Sequence, residues 1–244
     1  MLDNTHPCFS PPKSNCTLWR YMDLTKLLSL LENRKLFFPR ADQFEDPYEG
    51  SWSKAGVALM RDPATNGGAP PEMINQLLQA AEMQRRQIYI SCWFISEHES
   101  AAMWKLYLQS PEGIAIRSDH DALVSALEAS PLRARTSSVT YIDYDRTPIP
   151  FGNLFFPFLH KRLSFSHEHE LRAVIWSKEN INLSQVSDDA LSVTVDVVPE
   201  DLIKAVHVSP TAPRWFGTLV EQLLTRYGLA CPVERSGLYE RPSF

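Results

Sequence analysis

Glycine is scarce in this chain, with nine residues among 244. None falls into G-x-x-x-x-G-K-S/T or G-x-G-x-x-G, which excludes the two common glycine-rich phosphate cradles. Cysteine is scarcer still. Cys8, Cys16, Cys92 and Cys231 stand apart with no C-x-x-C spacing, so neither a zinc knuckle nor a redox pair is suggested. Cys92, inside an apolar run, reads as a reduced core thiol. No window approaches the roughly 20 apolar residues of a membrane span. Residues 1–12 hold Asp3 and prolines but no apolar stretch, unlike a signal peptide. The formal net charge of -5 gives no global field to hold nucleic acid, although a local basic groove stays open. The expectation is a soluble, cytoplasmic protein with no membrane contact.

What is present suits a globular domain. The 44% hydrophobic content is enough for one sizeable core. Residues 1–16 read as a flexible leader and residues 17–244 as one domain. Short strands are expected at 17–21, 35–38, 88–94, 113–117, 139–144, 170–176, 191–197, 204–208 and 231–235. Asp23 caps a helix with a Leu24, Leu27, Leu28, Leu31 stripe. Further helices are expected at 72–86, 119–129 and 215–227, another starts at Ser96 or Ser100, and a broken one spans 154–163 around Pro157. Residues 40–51 read as a loop and 61–71 as a linker. The elements mix without regular βαβ spacing. This indicates an α+β fold with a mixed or largely antiparallel sheet and packed helices.

The densest chemistry lies at His167-Glu168-His169-Glu170-Leu171-Arg172, which runs into the apolar Ala173-Val174-Ile175-Trp176. A strand starting near residue 167 would put Glu168, Glu170 and Arg172 on one face and His167 and His169 on the other. Charges at the mouth of a core strand are costly unless paired or working. Arg172 could fork onto a carboxylate in a structural cluster. Alternatively, one glutamate faces a cationic transition state while the pair tunes a base. His167 and His169 with His160 could hold a metal, but ordinary hydrogen bonding explains them better, and no metal is expected.

Two further constellations stand out. In Phe44-Glu45-Asp46-Pro47-Tyr48-Glu49-Gly50, Pro47 keeps Asp46 extended and Gly50 allows a turn, so Asp46 and Glu49 can aim into a cleft or cap backbone groups. Trp104 and Tyr107 share a helix face, either as a wall for a planar ring or as core.

These motifs resemble a bacterial and phage family, domain of unknown function 2971. The resemblance rests on Leu18-Trp19-Arg20-Tyr21, Phe44 to Glu49, Ser91-Cys92-Trp93-Phe94, Met103 to Tyr107, Gly113 to Ile116 and Glu168 to Arg172. Val206 to Pro210 and Ser236 to Tyr239 also fit, so it covers roughly residues 17–240. Where that family usually has Asn, this chain has Glu45. The family carries no agreed activity.

The order of Arg20, Ser91 and Glu168-x-Glu170 is also similar to the arginine–serine–glutamate order of ADP-ribosyltransferases. That similarity implies a transferase fold and NAD as substrate, in a toxin or antiphage effector. Arg20 would contact the NAD phosphates and Ser91 would support the site. Glu170 would face the oxocarbenium-like transition state. Glu168 would activate the acceptor. Trp104, with Tyr21 and Tyr107 beside it, would meet the nicotinamide. The Ser-Thr-Ser triplet of that pattern is absent, since Cys92 and Trp93 follow Ser91. Two other classes remain open. One is a binding module using Arg20, Tyr21, Asp46, Glu49, Trp104 and Glu170. The other is a Mg²⁺-dependent hydrolase of nucleotide or nucleic acid using Asp46, Glu49, Glu168 and Glu170.

Overall fold

A computed structural model describes residues 6–108, 110–180 and 190–242. The chain begins with β1 (Thr17–Asp23), α1 (Leu24–Asn33), β2 (Lys35–Pro39), α2 (Lys54–Arg61), α3 (Pro71–Gln84) and β3 (Ile88–Ile95). It continues through α4 (Ala101–Tyr107), β4 (Gly113–Asp119), α5 (His120–Glu128), β5 (Ala134–Ser138) and β6 (Thr140–Ile142). Then come α6 (Phe156–Leu159), β7 (His160–Arg162), β8 (Glu170–Trp176) and β9 (Ser192–Asp196). The last elements are α7 (Pro199–Leu202), β10 (Ala205–Val208), α8 (Arg214–Arg226) and β11 (Val233–Arg235).

Seven strands form the main sheet in the order β11-β10-β4-β1-β3-β8-β5. Its pairings are antiparallel except for the parallel β10–β11 pair. β2 with β9 and β6 with β7 make two small sheets. The fold is therefore α+β with a mostly antiparallel sheet and packed helices. Among the described residues no helix is long and apolar enough to cross a membrane.

Strand alternation divides the sheet into two faces. One face carries Leu18, Met22, Trp93, Ile116, Ala173 and Ile175, and the leucines of α1 and α5 pack with them into the larger core. α1 can join it because Asp23 accepts a hydrogen bond from the Lys26 N–H at 2.8 Å, leaving Leu27, Leu30 and Leu31 to face inward. The other face carries two smaller clusters. Ile88, Ile90 and Val174 pack with Phe155, Phe158 and Leu159, while Trp19, Tyr21, Phe94 and Ala115 pack with Met103 and Trp104. Between these two apolar clusters, on the same face, β8 presents Glu170 and Arg172.

Several expectations change. β8 starts at Glu170 and not near residue 167, because residues 163–168 form a 3-10 helix and His169 turns the chain at φ 38°. Glu168, His167 and His169 therefore do not lie on the strand. The strand expected at 139–144 is shifted and split into β5 and β6, since Ala134–Ser138 carries too few apolar residues to announce itself. The broken helix of 154–163 shrinks to one turn starting at Pro157's neighbour Phe156, and its polar end becomes β7. Part of the segment read as a leader is packed. Cys8 and Phe9 are buried, and Ser10 exchanges hydrogen bonds with Ser137 and Ser138. The expected strand residue Leu191 precedes β9, whereas residues 1–5 of the leader lie outside the described residues.

Candidate functional site

The site is built around Arg172, whose side chain is fully buried. Its Nε donates to Glu170 Oε2 at 2.7 Å. Nη1 and Nη2 fork onto Glu49 at 2.5 and 2.9 Å. Nη1 also donates to the Phe158 carbonyl at 2.7 Å. Such a planar, bidentate arrangement is what makes a buried guanidinium tolerable. Arg172 is held well above its ordinary range. Burial opposes the charge, but Glu170 and then Glu49 overcome it.

Glu49 reaches Arg172 because its loop turns sharply at Gly50. Gly50 has φ 69°, and a Cβ there would overlap the Phe158 ring. Only glycine satisfies both the left-handed backbone and the close approach. Asp46, earlier in the loop, accepts from Arg162 Nη2 at 2.7 Å and from the Tyr48 N–H at 3.0 Å. The carboxylate loop and the start of β8 thus converge, although more than 110 residues separate them.

Lys161 of β7 supplies the second cation. Its Nζ donates to Glu170 Oε1 at 2.7 Å and forms a short ion pair with Glu168. Four carboxylates (Asp46, Glu49, Glu168, Glu170) therefore meet three cations (Lys161, Arg162, Arg172). One negative charge is in excess, and one proton can cancel it. The surroundings of Glu168 favour that proton there. Burial first, and then the hydrogen bond and charge of Glu170, push it up to about 8. Burial also works against the Glu170 carboxylate, but the Arg172 charge, Glu168 and Lys161 hold it well below the usual range. Lys161 is raised: burial disfavours its charge, and Glu170 more than restores it. Two carboxyl groups pushed in opposite directions thus share a single ammonium, Glu168 raised and Glu170 lowered.

Two phenols feel the charge of this pair. The Tyr141 hydroxyl accepts from the Glu170 N–H at 2.9 Å. Tyr107 of α4 is 44% exposed. Desolvation of the hydroxyls, with the charge of Glu170 nearby, holds both phenols above their ordinary range. Cys92 lies opposite Arg172 in the β3–β8 register. Burial and the Glu170 charge push its thiol well up, which favours the protonated form.

The sequence places other residues here that the structure puts elsewhere. Arg20 and Ser91 are bonded to each other, Nη1 to Oγ at 3.0 Å. However, Arg20 alternates with Leu18 and Met22, and Ser91 with Tyr89 and Trp93, so both sit on the larger-core face. The sheet itself stands between them and Glu170. Tyr21 and Trp104 are on the Glu170 face but buried, packed edge to face at 4.9 Å. Trp104 Nε1 is used by Glu99 at 2.8 Å, and the Tyr21 hydroxyl accepts from the Ser100 N–H at 2.8 Å. These two rings are core, and of the aromatic set only Tyr107 is open to solvent. His160 and His169 bond backbone carbonyls of Phe156 and Ile95. No group of three or more His, Cys, Asp or Glu among the described residues could hold a metal ion.

Lys161, Arg162, Phe165 and Tyr141 were not singled out by sequence. The available signal was Lys161-Arg162, two adjacent cations between aromatic stretches and just before the carboxylates.

No family model and no curated protein matches the chain, so the resemblance to domain of unknown function 2971 gains no support there. Among solved structures, the chain is similar to DarT of Thermus sp. 2.9 in complex with NAD+. The TM-score is 0.41 at 11% identity, covering 93% of this chain and 98% of that one. It is also similar to the same DarT in complex with carba-NAD+, with TM-score 0.38 at 12% identity, covering 92% and 97%.

Proposed function

We propose that the protein is an NAD-using enzyme of the ADP-ribosyltransferase type, with Glu168 and Glu170 as its working pair. One observation carries this: the carboxyl groups of Glu168 and Glu170 share the single ammonium of Lys161 at the mouth of a core strand. Cleavage of the nicotinamide–ribose bond leaves positive charge on the ribose as the pyridinium departs with the bonding electrons. A preorganised carboxylate favours that state, and its charge needs no reorganisation at the moment of reaction. Glu170 supplies the charge. Glu168, once ionised, takes the proton of the incoming acceptor, a role suited to a group titrating near 8. Tyr107 is the aromatic surface left for the ligand. In a cell, a toxin or antiphage effector is a fitting role for such a transferase.

A binding module is the second reading. It is favoured by both Glu170 oxygens being engaged, one by Lys161 and one by Arg172, and by Arg20 and Ser91 lying across the sheet. Incubation with labelled NAD and cell lysate separates the two. The transferase transfers label or releases nicotinamide, and Glu168→Gln and Glu170→Gln lose that turnover by about 10²–10³-fold. Wild-type protein that neither binds nor cleaves NAD ends the enzymatic reading.

A further inference from the structure

Arg162, next to Lys161 on β7, has a guanidinium that is only partly used. Nη2 donates to Asp46 at 2.7 Å. Nε is buried without a partner, and Nη1 meets no acceptor among the described residues. The group is not loose. Its Cζ lies 4.3 Å from the Tyr48 ring centroid and 5.0 Å from that of Phe165. Phe165 also carries Lys161 Nζ at 4.7 Å, so one ring ties Arg162 to the cation that holds Glu168. The side chain remains 32% exposed. A guanidinium fixed by aromatic rings loses little further freedom on binding, and its N–H fork fits phosphate oxygens.

We propose that Arg162 receives a phosphate group of the nucleotide substrate, with Tyr48 and Phe165 holding the guanidinium in place. The proposal rests on the nucleotide reading above. It moves phosphate binding from Arg20, which lies across the sheet, to the face that carries Glu168. Asp46 is then a built-in competitor: it orients Arg162 and also offsets its charge. Removing that negative charge while keeping the side-chain shape should tighten anion binding.

Equilibrium titrations of the full chain with ADP-ribose, inorganic pyrophosphate and nicotinamide riboside test this. Arg162→Ala should weaken ADP-ribose and pyrophosphate about tenfold or more, the loss of one charge-assisted contact. Nicotinamide riboside, which has no phosphate, should change less than about twofold. Arg162→Lys keeps the charge without the fork, should recover part of the affinity, and serves if the alanine variant fails to fold. Asp46→Asn should bind pyrophosphate more tightly than wild type. Wild-type ADP-ribose affinity in both Arg162 variants overturns the phosphate role while leaving the nucleotide reading intact. Wild-type protein that binds none of the three overturns both.

Discussion

Arg20 and Arg172 are two arginines of the same sheet that meet opposite fates. Arg172 is fully buried and answered by two carboxylates. Arg20 donates to neutral oxygens, Ser91 Oγ at 3.0 Å and the Phe37 carbonyl at 3.2 Å, and lies 5.6 Å from the Trp93 ring centroid. The consequence shows in their acidities. Burial lowers Arg20 to about 10, while Glu170 and Glu49 reverse that penalty and raise Arg172. A buried cation with counter-charges organises a site around itself. A half-buried one held only by dipoles, as Arg20 is, organises nothing charged.

The largest expected effect breaks the Arg172 side of the comparison. Glu49→Ala removes both hydrogen bonds of the bidentate pair and leaves the buried guanidinium with Glu170 as its one carboxylate and the Phe158 carbonyl beside it. Loss of one partner of a buried pair costs about 3–5 kcal/mol. Chemical denaturation should show that loss, with reduced soluble yield. An unchanged midpoint would mean that Arg172 relaxes toward solvent and that its burial is not enforced.

A middle-sized effect concerns the proton on Glu168. Its value near 8 in the folded protein stands above the ordinary 4.5. Between those values the folded state holds a proton that the unfolded state has released, so stability falls as pH rises across the window. Glu170 has the opposite sign: held low, it loses stability as pH falls below the ordinary carboxylate range. Turnover should move against stability, rising through about pH 8 as Glu168 becomes a base. Melting temperature and turnover measured from pH 5 to pH 9 should diverge in wild type. Glu168→Gln should flatten the stability slope and remove the turnover. A slope surviving in the glutamine variant would assign the proton to another group.

Sequence went far toward the fold where strands are apolar and capped. β1, β3, β4, β8 and β10 show runs of hydrophobic residues, and Asp23 and Gly228 mark helix ends. Ala134–Ser138 and His160–Arg162 do not alternate between apolar and polar residues, so β5 and β7 were hidden. Lys161 was hidden with them. Within the site, the meeting of the Asp46–Glu49 loop with Glu170 and Arg172 could be foreseen, because buried charges must find partners. The face occupied by Arg20 and Ser91 could not. Parity fixes which residues of one strand share a face, but the relation between strands depends on register. Order along the chain put Arg20, Ser91 and Glu170 together, and the β1–β3–β8 pairing separates them.

The smallest expected effect sharpens the comparison from the other side. Arg20→Met keeps a long flexible stem against Trp93 and removes a charge that no carboxylate among the described residues answers. It forfeits two hydrogen bonds to neutral acceptors, each worth about 0.5–1.5 kcal/mol net. It also relieves the burial that depresses Arg20 to about 10. These terms oppose one another, so the net change in unfolding free energy should stay within about 1 kcal/mol. If Arg162 and not Arg20 receives the phosphate, pyrophosphate affinity should be unchanged as well. Arg20→Met with wild-type stability and a tenfold loss of pyrophosphate binding would return the ligand to the larger-core face. Wild-type values for both would leave the two faces divided as the register has them, with Arg20 supporting the sheet and the charged chemistry confined to the face of Glu168 and Glu170.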